Sequence, residues 1–252
     1  MPNVAETIVK VNAGGVCYRD LNARLREIVA GGAPKIDLFD VHGQRYIGTD
    51  LNKPVEIEIF GTPGNDLGAF MNGPRIVVRG NAQDGCGNTM NEGEIIVHGR
   101  AGDTVGLSAR GGKIFIKGDV GYRAGIHMKE YQEKKPVVVI GGTAQDFLGE
   151  YMAGGVLALL GLNLVEGESH RTKYLGTGMH GGVIYLRGNI APWQLGKEVG
   201  IAELGEVDGD ILKKYIVEFA REFGYDADEI LADKFIKLYP RLLRPYGRLY
   251  AY

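Results

Sequence analysis

EGEIIVHGRAGDTVGLSARGGKIFIKGDVGYRAG, residues 92–125, carries the same pattern twice. Glu94-Ile95-Ile96-Val97-His98-Gly99 returns nineteen residues later as Lys113-Ile114-Phe115-Ile116-Lys117-Gly118, and Gly102 and Gly106 return as Gly121 and Gly125. In both copies an apolar residue stands four and two positions before the closing glycine, while the flanking positions are mixed. That alternation marks a strand with one buried face.

Outward from this stretch, the closing glycine recurs as Gly61, Gly80, Gly99, Gly118, Gly142, Gly161 and Gly188, spaced 19, 19, 19, 24, 19 and 27 residues apart. The position four before it reads Ile57, Ile76, Ile95, Ile114, Val138, Leu157, Ile184, and the position two before it Ile59, Val78, Val97, Ile116, Ile140, Leu159, Leu186. A fixed period with one short strand per repeat, glycine corners and no helical periodicity predicts a solenoid of stacked parallel β-coils, about seven of them. Equivalent residues then stack about 4.8 Å apart.

The other columns test that stacking. Ten past the glycine, with the last turn counted back from Gly188, come Met71, Met90, Ala109, Met128, Met152 and Met179, and six past it come Leu67, Cys86, Val105, Ala124 and Leu148. The thioether ladder reads as gap-filling core rather than as a redox or soft-metal feature. Gly68, Gly87, Gly106, Gly125 and Gly149 recur seven past the marker, where the chain needs a left-handed backbone or close approach of the next coil. No helix follows these glycine motifs and they return every turn, which argues against a nucleotide loop.

With the motif Gly61-x-x-Gly64-x-x-x-Gly68, its repeats from Gly99 and Gly118, and the turns Gly149-Glu150-Tyr151-Met152-Ala153-Gly154-Gly155 and Gly178-Met179-His180-Gly181-Gly182, the chain resembles the GXGXG-domain family over about residues 55 to 190. The middle glycine is replaced by Gln83 and Gln145 in two turns, and an insertion interrupts the sixth. The resemblance implies a single-stranded right-handed parallel β-helix, as at the C-terminal end of the glutamate synthase large subunit and in the β-helical subunit of formylmethanofuran dehydrogenase. The free-standing form with helical ends resembles the stand-alone third-domain subunit of the archaeal-type glutamate synthase. It further implies a non-catalytic scaffold, whose partners would be a class II glutamine amidotransferase subunit and a synthase subunit carrying FMN and an iron–sulfur cluster. Such an assembly makes glutamate from glutamine and 2-oxoglutarate, and this chain itself would hold no cofactor.

The remaining segments read as an N-terminal α/β cap (1–54) and an extended wrap with a helical tail (191–252) packed on the same domain as the coil (55–190). Tyr18 to Ala30 is an amphipathic helix stopped by Gly31-Gly32, suited to closing the open end of the coil, whose unpaired edge would otherwise invite aggregation. A helix is expected from about Asp210 to Phe223, and a second from about Asp228, capped by Asp226, running up to Pro240. Lys234 to Tyr252 holds five basic residues and no acid, interleaved with Tyr239, Tyr246, Tyr250 and Tyr252, so it reads either as a tail folded along its own coil or as a docking arm. The outward column five before the marker drifts from Glu56, Arg75, Glu94 and Lys113 to Val137, Val156 and Val183. That apolar flank must be covered by the C-terminal helices, by a partner, or by a second copy of the chain.

Composition narrows the chemistry. A net charge of −2 over 252 residues gives no polyelectrolyte bias toward nucleic acid, and no apolar run approaches the roughly 20 residues that span a membrane, so a cytoplasmic protein is expected. Two cysteines, Cys17 and Cys86, make a disulfide framework or zinc site improbable. His42, His98, His127, His170 and His180 are scattered without ligand spacing and read as surface residues. Asp84, Asp103 and Asp146 form a partial ladder better suited to corner hydrogen bonds than to calcium. The competing enzymatic reading is a hydrolase of small esters, tributyrin-esterase-like, with Ser108 and His127 as a dyad, since both stand nine past their markers in adjacent coils. That column otherwise holds Phe70, Thr89 and Tyr151 and supplies no orienting carboxylate, so no catalytic residue is assigned. His170, beside Ser169, has the same weakness.

Overall fold

The computed structural model describes residues 8–165 and 167–241. Nine strands form an unbroken parallel ladder in chain order: β1 (Ile8–Asn12), β2 (Lys35–His42), β3 (Glu56–Thr62), β4 (Asn72–Val78), β5 (Glu92–Val97), β6 (Lys113–Ile116), β7 (Val137–Ile140), β8 (Ala153–Leu159) and β9 (Gly181–Arg187). The fold is mostly β, a parallel solenoid. Its register is that of the repeat: Ile57 pairs with Ile76, Ile76 with Ile95, Ile95 with Ile114, and onward through Val138 and Leu157 to Ile184. The ladder also starts two strands earlier than the glycine marker suggests, because Ile36 and Leu38 of β2 pair with Ile57 and Ile59, and Val9 and Val11 of β1 pair with Ile36 and Leu38. The marker failed there because Lys35–His42 keeps the inward alternation without the closing glycine.

Both inward columns, the five internal methionines and Cys86 lie in one continuous core. The corners explain the glycines. Gly68 and Gly149 have φ of +64° and +68°, and a Cβ there would stand 2.8 Å from Ile95 Cδ1 and 2.6 Å from Ile184 Cδ1 respectively. Residues two before and two after such corner glycines are also left-handed without being glycine, among them Asp66 and Phe70, Thr104 and Ser108, Arg123 and His127, and Phe147 and Tyr151. Such a backbone costs about 1–2 kcal/mol per residue. It is held by hydrogen bonds to the next coil, such as Ser108 N to Ile126 O at 2.9 Å and His127 N to Glu150 O at 3.0 Å. The aspartate ladder bridges the same coils: Asp84 Oδ1 accepts from Asp103 N at 2.9 Å, Asp103 Oδ1 from Tyr122 N at 2.8 Å, and Asp146 Oδ1 from Lys173 N at 2.9 Å.

Helix α1 (Tyr18–Ala30) has the expected bounds and adds Leu21, Leu25 and Val29 to the core. After β9 come a short 3-10 turn (Pro192–Gln194), β10 (Val199–Ala202), α2 (Glu206–Phe223), α3 (Ala227–Leu231) and β11 (Phe235–Pro240). α2 begins one turn earlier than expected: Asp208 accepts from Gly205 N at 3.1 Å, and Gly224 ends the helix with φ of +74°. α3 is capped as expected, Asp226 Oδ1 accepting from Asp228 N at 2.8 Å, but it stops at Leu231. Phe235 to Pro240 is a strand rather than helix, antiparallel to β9 on one side and to β10 on the other. Ile236 and Leu238 continue the apolar columns beyond Leu186 and Ile184, so the end of the rod dictates the conformation that local propensity left open. The tail positions Tyr246, Tyr250 and Tyr252 lie outside the described residues.

Candidate functional site

The flank and the corner ridge are the two outer faces where the repeat could carry function. On the flank, α2 lays Leu212, Ile216, Phe219 and Phe223 over Val77, Ile96, Phe115, Val139, Ala158 and Tyr185, with Val137 and Val156 in the same cluster. The chain therefore covers its own apolar flank. Where the column is charged it forms an ion ladder: Lys35 to Glu56 at 2.8 Å, Arg75 to Glu56 and to Glu94 at 3.3 Å each, and Lys113 to Glu94 at 2.8 Å. α2 adds Glu222 to Arg75 at 2.7 Å and Glu218 to Lys113 at 2.6 Å. Burial alone would push the Glu94 carboxyl up, but Lys113 and Arg75 hold it below the usual carboxylate range. At the other end of the helix Asp208 accepts from Tyr185 Oη at 2.8 Å and pairs with Lys237 at 2.7 Å.

The corner ridge holds the sequence-derived pair. Ser108 and His127 occupy equivalent positions in successive coils, Ser108 half-buried and His127 exposed. The imidazole stacks on Tyr151, with centroids 5.4 Å apart and planes 12° from parallel. Among the described residues no hydrogen bond joins Ser108 to His127. Tyr151 in turn lies over Gly178, where a Cβ would collide with its ring. Beside this stack runs a second one: the Arg123 guanidinium stands 5.1 Å over Phe147, which stacks on Tyr174 at 4.9 Å. Beneath them Glu150 is 6% exposed and pairs with Arg123 at 3.0 Å. Tyr151 and Tyr174 are exposed, so the ridge presents aromatic rings and one arginine, residues enriched at protein interfaces. The sequence signal was present in the columns five and nine past the marker, but it becomes an arrangement only once the left-handed corners turn both columns outward.

The other candidates separate. The Nε2 of His98 stands 2.8 Å from Arg79 Nη1, and its ring meets Phe223 edge-on at 5.1 Å. Burial, then Arg79 and Lys117, lower its pKa. His180 Nδ1 is 3.3 Å from Gly178 O, and His42 is exposed. His170, expected at the surface, is buried at 3% exposure because the inserted loop folds inward. Among the described residues no three His, Cys, Asp or Glu side chains come together in a way that could hold a metal ion, and no helix is long and apolar enough to cross a membrane.

The chain is 50% identical over 250 residues to an uncharacterized protein of Methanocaldococcus jannaschii, a match that covers 96% of each chain. Residues 38–244 match the GXGXG motif family, a span that takes in β3 to β11 and reaches back into β2, so the chain belongs to that family.

Proposed function

We propose that this chain is a structural subunit of a glutamate synthase, holding an amidotransferase subunit and an FMN-bearing synthase subunit in fixed relation. The GXGXG family occurs in glutamate synthase, which supports the assignment to that kind of assembly. The single observation that carries the scaffold role is the unbroken rung register. Nine parallel strands, eight spacings, make a rod of about 38 Å whose geometry is set by stacked backbone hydrogen bonds. The same register places the five internal methionines and Cys86 in the core, and His127 in an aromatic stack. The ridge of Arg123, Tyr151 and Tyr174 is the surface through which a partner would be held.

The test is co-purification of the full chain from a native extract, with partners identified by mass. Recovery of an amidotransferase and a flavin-bearing synthase is expected; recovery of a molybdopterin enzyme in their place would overturn the assignment in favour of the formylmethanofuran dehydrogenase complex. A truncation that removes residues 207 to 252 is a poor probe of docking, because it strips α2 from the flank and β11 from the ladder. Ending the chain after Arg241 leaves both in place and tests the basic, tyrosine-rich end by itself.

A further inference from the structure

The loop inserted between β8 and β9 folds against the segment after β9, and the two enclose adjoining clefts of about 810 Å³ and 540 Å³ that share Ser169, His170 and Asn189. Both fall within the usual size range of small-molecule sites. His170 is part of the common wall. Its Nε2 lies 3.1 Å from the carbonyl oxygen of Arg187, and since a carbonyl only accepts, Nε2 carries the ring proton and Nδ1 is left as a lone-pair acceptor. Burial, the largest influence on the ring, lowers its pKa and keeps it neutral. Nδ1 is buried and has no hydrogen-bond partner among the described residues.

The ring cannot easily turn away to find one. Gly161 packs against it, a Cβ there standing 2.6 Å from His170 Cε1. Gln194 Nε2 donates to the carbonyls of His170 and Thr172, at 2.8 Å each, while Gln194 Oε1 accepts from Ala191 N at 3.0 Å. Thr172 Oγ1 donates to Gln145 O at 2.7 Å. These bonds tie the inserted loop to both neighbouring segments. On the larger cleft's rim are Lys173, Arg171, whose side chain is 90% exposed and meets Glu168 only at 3.5 Å, and Trp193, which is 69% exposed.

We propose that this double cleft binds a small carboxylate that also carries an N–H or O–H donor, the carboxylate held by Arg171 and Lys173, the donor by His170 Nδ1, and the carbon chain by Trp193. An acid of the same length without a donor leaves Nδ1 unpaired and binds about tenfold more weakly. The site stands on its own residues and does not depend on the scaffold assignment.

The test uses the full chain with isotope-labelled histidine and proton-detected nitrogen spectra of the rings. In the free protein His170 shows the Nε2–H tautomer near neutral pH. L-Glutamine and γ-hydroxybutyrate, which carry donors, move the Nδ1 resonance and saturate in the millimolar range, whereas glutarate and succinate bind about tenfold more weakly. Arg171→Ala, at an exposed side chain, lowers the affinity several-fold and leaves the free His170 signals unchanged. The proposal is overturned if Nδ1 is protonated in the free protein, if neither donor-bearing acid moves it at tens of millimolar, if the donor-free acids match them, or if Arg171→Ala leaves the affinity intact.

Discussion

Replacing Phe219 by alanine tests whether α2 is held to the coil by packing. The ring is fully buried, lies 6.0 Å from Phe115 and 4.7 Å from Phe223 in edge-on contacts, and its Cζ sits where a Cβ on Gly141 would come within 2.8 Å. Gly141 has no side chain with which to fill the space left behind, so the full cavity penalty of about 3–5 kcal/mol for Phe→Ala applies. At the lower end of that range the docked helix is about a hundredfold less favoured. Because β1 to β9 are paired to one another without the helix, the loss falls first on α2. Native-state hydrogen exchange reads this directly: amides of Leu212 to Phe223 lose protection, while those of β4 to β6 keep theirs. Phe219→Leu, which restores most of the volume, recovers all but about 1.5 kcal/mol. A loss below about 1 kcal/mol for the alanine variant, or an equal loss of protection in β4 to β6, would refute the reasoning.

Three further outcomes rest on named positions. Gly15 has φ of +71° with nothing near its missing Cβ, so Gly15→Ala costs about 1–2 kcal/mol from the backbone alone; at Gly61 a Cβ also stands 2.9 Å from Val41 N, so Gly61→Ala adds overpacking of about 1–3 kcal/mol, and urea midpoints should rank the two in that order. Glu58, Glu94 and Asp208 are all held below the carboxylate range in the folded chain: burial opposes this for each, and Lys35 with Arg79, Lys113 with Arg75, and Lys237 with Tyr185 outweigh it. Groups depressed on folding contribute stability that is fully present above their unfolded pKa and lost as the pH falls, so urea midpoints should decline from about pH 5 downward, and a flat profile to pH 3 would contradict the ion ladder. Burial pushes the Cys86 thiol up to about 12, whereas Cys17 is exposed; a thiol reagent at neutral pH should label Cys17 alone in the native protein and both after unfolding, and rapid labelling of Cys86 would contradict its place in the core.

The nineteen-residue spacing determined the stacking, the register from β3 to β9 and four of the core columns, because in a solenoid each residue's neighbours are its own equivalents one turn away, and a local pattern becomes a tertiary contact. Helix α1 was legible for a related reason, since its apolar face and Gly31-Gly32 stop are local signals. The strand beyond the last helix was not. Phe235–Pro240 alternates as a strand can, but that short pattern did not outweigh the helix start at Asp226, and it is the exposed edge of β9, which needs a partner, that makes it a strand. The flank was visible as a drift from Glu56 to Val183, but only the packed structure decides among its possible covers, and it sets α2 there through Phe219 and the pairs of Glu218 and Glu222. His170 shows the limit most plainly. Its burial, its single bonded nitrogen and its clefts arise from a loop that interrupts the repeat, where the period supplies no information and long-range packing alone places the side chains.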